Sequence, residues 1–191
     1  MIWSALVPLK PPASRKGRLA SRLSPTERER LSRYLFERTI ATLCDVPAIG
    51  AIHLLSADRP EGWTGAWHRD EGRGLNAELE AARAALGSVP LLVIHADLPL
   101  VARADIEALL ERAEERGCAL APDRHGEGTN AVALMPGGGF RFAFGPGSYG
   151  LHHAQAPHAA RVEREGLALD CDTPDDLDRA LAAGFLLPRE P

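Results

Sequence analysis

Short apolar runs alternate with longer amphipathic stretches along this chain of 191 residues. The apolar runs are bounded by glycine, proline and polar residues, which is typical of β-strands. They cover residues 2–7, 49–56, 90–96, 118–122, 130–135 and 166–172. Because helical patterns separate most of these runs, the sequence predicts an α/β fold with a mostly parallel sheet.

The amphipathic stretches have ends that are typical of helices. Ser24 is followed by proline and, three residues after itself, by Glu27, which is the arrangement of a capping box. Residues 74–87 are rich in alanine, residues 104–117 place apolar side chains on one face, and both stretches end at a glycine. Thr173 precedes a proline and two acids, so we expect it to cap a last helix.

Residues 122–150 depart from this alternation. They are rich in glycine and proline, yet they contain the runs "AVALM" and "FRFAF" on either side of "PGGG". This pattern predicts a β-hairpin or an insertion into the sheet. The length favours one domain over residues 1–191, with a mixed, mostly parallel sheet flanked by helices and a β-hairpin insertion.

Composition narrows the classes of protein. The net charge of −4 argues against a general nucleic-acid binder, and no apolar run is long enough to cross a bilayer. Cys44, Cys118 and Cys171 are widely spaced and form no CxxC pair, so neither a zinc site nor a disulfide framework is indicated. The apolar run at the start of the sequence is too short and too soon interrupted for a signal peptide, so we expect a cytoplasmic protein.

A basic segment follows the first predicted strand. Lys10, Arg15, Lys16 and Arg18 place four positive charges within nine residues of a chain that is negative overall. Such a segment could wrap a polyphosphate, although the Walker A pattern is absent, or it could be a solvated loop. In α/β sheets ligands bind at the carboxyl ends of strands, where this segment falls.

Three aspartates fall at predicted strand ends as well. Asp97 follows "LLVIHA", and Asp170 and Asp172 lie two residues apart, so that an extended chain would place them on one face. Carboxylates at such a short distance repel one another unless a cation lies between them. Mg²⁺ prefers oxygen ligands of this kind. Each aspartate alone could instead cap a helix; three of them near a basic segment favour a metal and a triphosphate.

Two further segments carry polar groups suited to a pocket. In "FGPGSYGLHH", Gly145 and the Ser148 hydroxyl could form an anion site before a short helix, or simply a glycine turn. The same segment matches G-x-G-x-x-G, which is a weak indication of a dinucleotide site at this position in the chain. In "PDRHGEGTNAVAL", Arg124, His125, Thr129 and Asn130 could line a pocket or form turns.

Taken in order, these segments resemble the 2-phospho-L-lactate guanylyltransferases, which make the guanylylated precursor of coenzyme F-420. The resemblance covers nearly the whole chain. It is carried by "VPLKPPASRKGRLASRLSPTERERL", "GRGLNAELEAA", "VIHADLPLV", "PDRHGEGTNAVAL", "FGPGSYGLHH" and "LALDCDTPDDL". It implies a compact nucleotidyltransferase fold of the glycosyltransferase-A type, with GTP as co-substrate and Mg²⁺ as cofactor.

The resemblance also implies roles for individual residues. The residues expected to hold the GTP phosphates are Lys10, Lys16, Arg18 and Leu19. Those expected to bind magnesium are Asp97, Asp170 and Asp172, and those expected beside the guanine are Gly74, Leu75 and Asn76. Thr129 and Asn130 are expected near the sugar or the acceptor, and Gly145 and Ser148 are expected to hold the acceptor's phosphate or carboxylate. Lys16, Arg18 and Asp97 would act in catalysis.

The reaction that this resemblance implies is in-line attack by a phosphate oxygen of a small phosphorylated acid on the α-phosphorus of GTP, releasing pyrophosphate. Leu151 stands where many relatives have arginine, Gly17 where serine is usual, and His95 where an apolar residue or proline is usual. Phospholactate, phosphoenolpyruvate and 3-phosphoglycerate therefore all stay open as acceptors, and a homodimer stays open too. The alternatives are a molybdopterin nucleotidyltransferase, a non-catalytic GTP-binding module and a dinucleotide-dependent oxidoreductase.

Overall fold

A computed structural model describes residues 1–9 and 16–188. These residues form a seven-stranded sheet in the order β3-β2-β1-β4-β6-β5-β7. The strands are β1 (Trp3–Pro8), β2 (Ile49–Ser56), β3 (Ala66–Arg69), β4 (Leu91–Ile94), β5 (Cys118–Pro122), β6 (Thr129–Leu134) and β7 (Ala160–Arg161). Pairing is parallel except where β6 lies antiparallel to β4 and to β5. The predicted mixed, mostly parallel sheet is thus confirmed.

The helices flank this sheet. They are α1 (Pro25–Cys44), α2 (Leu75–Leu86), α3 (Arg103–Arg116), α4 (Ser148–Gln155), α5 (Glu165–Ala168) and α6 (Pro174–Ala182), preceded by a 3₁₀ helix (Gly17–Ser21). The predicted caps are confirmed: Glu27 N–H donates to Ser24 Oγ at 3.3 Å, and Thr173 Oγ1 accepts from the Asp176 N–H. Within the described ranges, every helix is too short or too polar to cross a membrane.

Both faces of the central strands are covered, as a parallel sheet requires. In β4, Leu92 and Ile94 pack in the layer that contains α1 and α3, whereas Leu91 and Val93 face α2. A smaller apolar cluster joins the 3₁₀ helix, α1 and α6; it contains Leu19, Leu31, Leu35, Leu169, Cys171, Leu177 and Phe185. This third cluster brings the N-terminal and C-terminal parts of the chain together.

Two predicted strands are wrong. Residues 140–144 alternate in burial as a strand does but belong to none of the described strands; side chains of neighbouring helices, Asn76 among them, bond their backbone instead. The antiparallel hairpin is formed instead by β5 and β6. Residues 166–172 form the short helix α5 and then an extended segment, in which the Cys171 N–H donates to the Asp97 carbonyl at 3.0 Å.

Candidate active site

Asp97 lies just beyond the carboxyl end of β4. The His95 N–H donates to the Asn130 carbonyl at 3.0 Å, so pairing with β6 continues one residue past the strand. Leu98 is fully buried next to Asp97 and fixes the chain there. The hydrogen bond from Cys171 places Asp170 and Asp172 beside Asp97, at the sheet edge where α/β proteins bind ligands.

Lys16 joins two of these aspartates. Its Nζ atom lies 2.8 Å from Asp97 Oδ2 and 3.0 Å from Asp172 Oδ1, and its side chain is only 4% exposed. Burial alone would lower the pKa of Lys16, but attraction and hydrogen bonds from both carboxylates outweigh that effect and raise it. Three distant parts of the chain thus meet in one charged network, and Lys16 stays protonated.

The backbone of Lys16 is also unusual. Its φ of 56° and ψ of 29° lie in the left-handed region, where side chains other than glycine are uncommon. Residues held in such conformations by their surroundings cluster at functional sites. Here the surroundings include the two carboxylates on Nζ and the buried Leu19, whose N–H donates to the Lys16 carbonyl at 3.0 Å.

Asp170 is the third carboxylate of this group. Burial and the negative charges of Asp97 and Asp172 raise the pKa of Asp170 to about 6. The three carboxyl groups can together carry more negative charge than the single ammonium of Lys16 can offset. Their oxygens are the donors that Mg²⁺ prefers, so the residues fit such an ion chemically. Within residues 1–9 and 16–188, no three acid, histidine or cysteine side chains form a ready metal site, and Lys16 Nζ lies between Asp97 and Asp172.

Asp172 is held in place by the start of α6. Asp176 Oδ2 accepts from the Thr173 N–H at 2.7 Å and from the Asp172 N–H at 3.2 Å, while Arg124 Nε lies 2.8 Å from Asp176 Oδ1. Burial would raise the pKa of Asp176, but these hydrogen bonds and Arg124 lower it. No such role was predicted for Asp176 itself, although the spacing Thr-x-x-Asp is the signal for this cap.

The chain that leads into α2 is fixed by hydrogen bonds to a side chain of that helix, Glu78. Gly74 precedes the helix with φ of 94°, a conformation that favours glycine. Glu78, 1% exposed, accepts from the N–H groups of Glu71 and Arg73 and from the Arg73 guanidinium, which holds the pKa of Glu78 down to about 2. Sequence reasoning missed Glu78. Asn76 bonds to residue 144, and Leu75 packs at the α2 face of the sheet.

Thr129 and Asn130 are both buried and bonded within the protein. Asn130 Nδ2 donates to the carbonyls of Leu167 and Ala168. Thr129 Oγ1 lies 3.0 Å from His152 Nδ1, and the Ala143 N–H donates to His152 Nε2 at 2.9 Å. Because Nε2 must accept, Nδ1 carries the proton and donates to Thr129. Burial lowers the pKa of His152 to about 4.

The turn that leads into α4 follows Phe144, whose ring contacts the end of β4. Gly145 and Gly147 have φ of 133° and 68°, and Ser148, 1% exposed, begins the helix. The Ser148 N–H donates to the Gly145 carbonyl, so it is used within the turn. The His95 ring packs at a tilt of 41° against the ring of Phe144, with centroids 5.3 Å apart, which connects this turn to the end of β4.

The remaining residues predicted to bind phosphate differ in exposure. Arg18 is exposed next to Lys16, whereas Leu19 is fully buried in the third apolar cluster. Leu19 therefore anchors the 3₁₀ helix through packing. Lys10 and Arg15 lie outside the described residues.

Solved structures share this fold. A nucleotidyl transferase from Methanothermobacter superposes with a TM-score of 0.60 at 14% identity, covering 96% of this chain and 99% of that one. A 2-C-methyl-D-erythritol 4-phosphate cytidylyltransferase from Thermus thermophilus superposes with a TM-score of 0.54 at 21% identity, covering 97% and 100%. These likenesses define the class of fold as that of the nucleotidyltransferases.

Sequence relationships specify the family. Residues 3–184 match the family described as "Guanylyl transferase CofC like", and the chain belongs to it. It is 42% identical to a phosphoenolpyruvate guanylyltransferase of Sphaerobacter thermophilus, covering 93% of this chain and 92% of that protein. It is 40% identical to a protein of the same name from Rubrobacter xylanophilus, covering 94% of each.

Proposed function

We propose that this protein transfers GMP from GTP to the phosphate of phosphoenolpyruvate and releases pyrophosphate, as a step in coenzyme F-420 synthesis. The proposal rests on one observation above all: Asp97, Asp172 and the buried Lys16 converge at the carboxyl edge of the sheet. Two relatives at 42% and 40% identity are named for this acceptor, which supports phosphoenolpyruvate over phospholactate and 3-phosphoglycerate.

The reaction needs no general base. An acceptor phosphate oxygen is already anionic; it forms a bond to the α-phosphorus of GTP while the bond from that phosphorus to the β-phosphate oxygen breaks. The pair of electrons in the broken bond leaves with pyrophosphate. The protein must therefore hold two anions in line and offset the charge that grows on the leaving group. Lys16 supplies a protonated group for that purpose, and Arg18 supplies an exposed one beside it.

Asp97, Asp170 and Asp172 would hold Mg²⁺. When bound, a divalent ion would neutralise phosphate charge and orient the two substrates. The chain's own contribution is a set of fixed oxygens: the Cys171–Asp97 backbone bond and the cap at Asp176 hold the aspartates in place before any ligand arrives. Such preorganisation reduces the rearrangement needed during the reaction.

The acceptor would lie against the turn of residues 145–148. Thr129 and Asn130 would support the site and not contact the acid directly, because their polar groups already bond to the protein. Leu151 is 53% exposed on α4 and offers no charge to a carboxylate. Recognition of the acid would therefore fall to groups other than the side chain at position 151.

Asp97→Asn tests the role of the acid cluster. Asn keeps the size of the side chain but removes its charge, and loss of a preorganised charged group is expected to cost about 2–4 kcal/mol in the barrier. Purified protein is incubated with GTP, MgCl₂ and each of the three acids, and products are weighed by mass spectrometry. The matched control is Asp178→Asn, an aspartate 51% exposed and paired with Arg22 at the surface.

Pyrophosphate release near the wild-type rate in Asp97→Asn, with Asp178→Asn also unaffected, contradicts the proposed role of Asp97. GTP binding by the wild type with no nucleotidyl product from any acid would instead favour a non-catalytic GTP-binding module. Formation of a guanylylated product only from phospholactate or 3-phosphoglycerate would keep the reaction and overturn the acceptor.

A further inference from the structure

Residues 140–144, which we call the strap, alternate between buried and more exposed side chains as an extended chain does, but they belong to none of the described strands. Side chains of α2 and α4 bond the strap backbone at successive residues. The bonds are Arg83 to the Phe140 carbonyl, Gln155 to the N–H and carbonyl of Arg141, Glu80 to the Phe142 N–H, His152 to the Ala143 N–H, and Asn76 to the N–H and carbonyl of Phe144. The strap is thus held as a strand would be, but by side chains.

The periodicity of α2 explains how a helix can replace a strand. Asn76, Glu80 and Arg83 are spaced four and then three residues apart, so they lie on one face of α2. Their partners in the strap are residues 144, 142 and 140, which share one side of an extended chain. One helical turn rises about 5.4 Å and two strand residues span about 6.6 Å, so the two series stay nearly in step.

Asn76 makes two of these bonds. It makes them at the end of the strap that leads into the turn of residues 145–148, which we call the acceptor turn. Its Nδ2 donates to the Phe144 carbonyl at 3.0 Å, and its Oδ1 accepts from the Phe144 N–H at 2.8 Å. Both ends of the amide are therefore directed at residue 144. The next residue is Gly145, with φ of 133°, and a glycine turn has little conformational preference of its own.

We propose that Asn76 is a positioning residue for the acceptor: it fixes Phe144, and through Phe144 the turn of residues 145–148, in place of reading the guanine. This inference rests on the proposed function, since it takes the turn to be the acceptor site. Asn76 would also connect the start of α2 with the acceptor turn, because its side chain belongs to α2 and bonds the residue that precedes the turn.

Gln155 provides a matched control. Its side-chain amide bonds the N–H and the carbonyl of one strap residue, Arg141, at 3.0 and 3.1 Å, which is the same pattern that Asn76 makes with Phe144. Arg141 is three residues further from the turn. Asn76→Ala and Gln155→Ala therefore each remove a pair of bonds to one strap residue, and only Phe144 adjoins Gly145. Gln155→Ala also removes a bond to the Leu151 carbonyl at 3.3 Å.

The kinetic test measures KM for GTP and for the acid that the wild type accepts. Asn76→Ala is expected to raise KM for the acid roughly tenfold, as two hydrogen bonds are lost, with KM for GTP within twofold of wild type. Asn76→Asp, which can accept from the Phe144 N–H but turns a carboxylate oxygen toward the Phe144 carbonyl, should also raise KM for the acid. Gln155→Ala should leave both constants near wild type. A rise in KM for GTP alone would assign Asn76 to the guanine and overturn the inference, as would unchanged constants.

Hydrogen exchange tests the inference without relying on activity. Amides of residues 144–148 should exchange at least several-fold faster in Asn76→Ala than in Gln155→Ala, with no substrate present. If the wild type guanylylates none of the acids, the proposed function fails but exchange still decides whether Asn76 holds the turn. Equal exchange in this segment for wild type and Asn76→Ala would refute the positioning role whatever the activity.

Discussion

Replacing Lys16 by methionine removes the ammonium between Asp97 and Asp172 while keeping an unbranched side chain of similar length. The two bonds to Lys16 Nζ, at 2.8 and 3.0 Å, involve charged groups on both sides. Removing one partner of a fully buried ion pair costs about 3–5 kcal/mol, because the remaining charge has no counterion.

The expected loss here is smaller than that limit. The side chains of Asp97 and Asp172 are 29% and 38% exposed, so water can solvate part of the charge left behind. Methionine also contributes apolar burial where the lysine stem lay. We therefore expect Lys16→Met to lower the free energy of unfolding by about 1–3 kcal/mol at pH 7 without added metal.

Urea denaturation, with and without millimolar MgCl₂, measures this effect. If Mg²⁺ binds the same carboxylates, it should stabilise Lys16→Met more than wild type, since in wild type the ammonium competes for the oxygens. Arg22→Met is the control: Arg22 pairs with Asp178 at 2.7 Å, but both side chains are about half exposed, and the loss should stay below about 1 kcal/mol. Equal losses for the two variants would refute the reasoning about burial. Equal stabilisation of Lys16→Met and wild type by Mg²⁺ would refute the shared site.

The remaining predictions concern stability. The pKa of His152 falls from 6.5 to about 4 on folding, so the unfolded chain is protonated more easily than the folded protein. The neutral His152 therefore contributes on the order of 3 kcal/mol to the free energy of unfolding above pH 6.5, and this contribution is lost as the pH falls toward 4. The stability difference between wild type and His152→Gln, which cannot titrate, should shrink over that range; a constant difference would show that the Ala143 bond to His152 is not pH-sensitive. Gly166→Ala would force a methyl group onto the Asp105 carboxylate and should cost about 1–3 kcal/mol in denaturant unfolding, whereas Gly139→Ala meets nothing within 4 Å and should be near neutral. Similar losses for both glycine variants would argue against steric overlap at residue 166.

Several elements were predictable because they depend on local chemistry. The caps at Ser24 and Thr173 follow from side chains that reach a backbone group three residues away. The buried strands at 91–94 and 118–122 follow from apolar runs bounded by breakers. The strand β3 was missed, since its four residues lie at the sheet edge and none is buried.

Two failures have a common cause. The strap has the composition of a strand, but its backbone partners are side chains of α2 and α4, and no local pattern shows which partner a backbone group will find. Residues 166–172 likewise have the pattern of a strand, yet among the described residues their extended part bonds to the Asp97 carbonyl and belongs to no ladder. Partner choice depends on contacts between residues far apart in the chain.

The sequence by itself determined the α/β class, the helix caps and the residue types suited to a nucleotide and a divalent ion, because these depend on periodicity and on chemistry within a few residues. Only the tertiary structure decided that Lys16 bridges Asp97 and Asp172, separated by 81 and 156 residues from it, and that Asn76 holds Phe144. These pairings arise when the apolar clusters bring distant segments together. Packing of the whole chain, which no short segment encodes, therefore sets the geometry of the site.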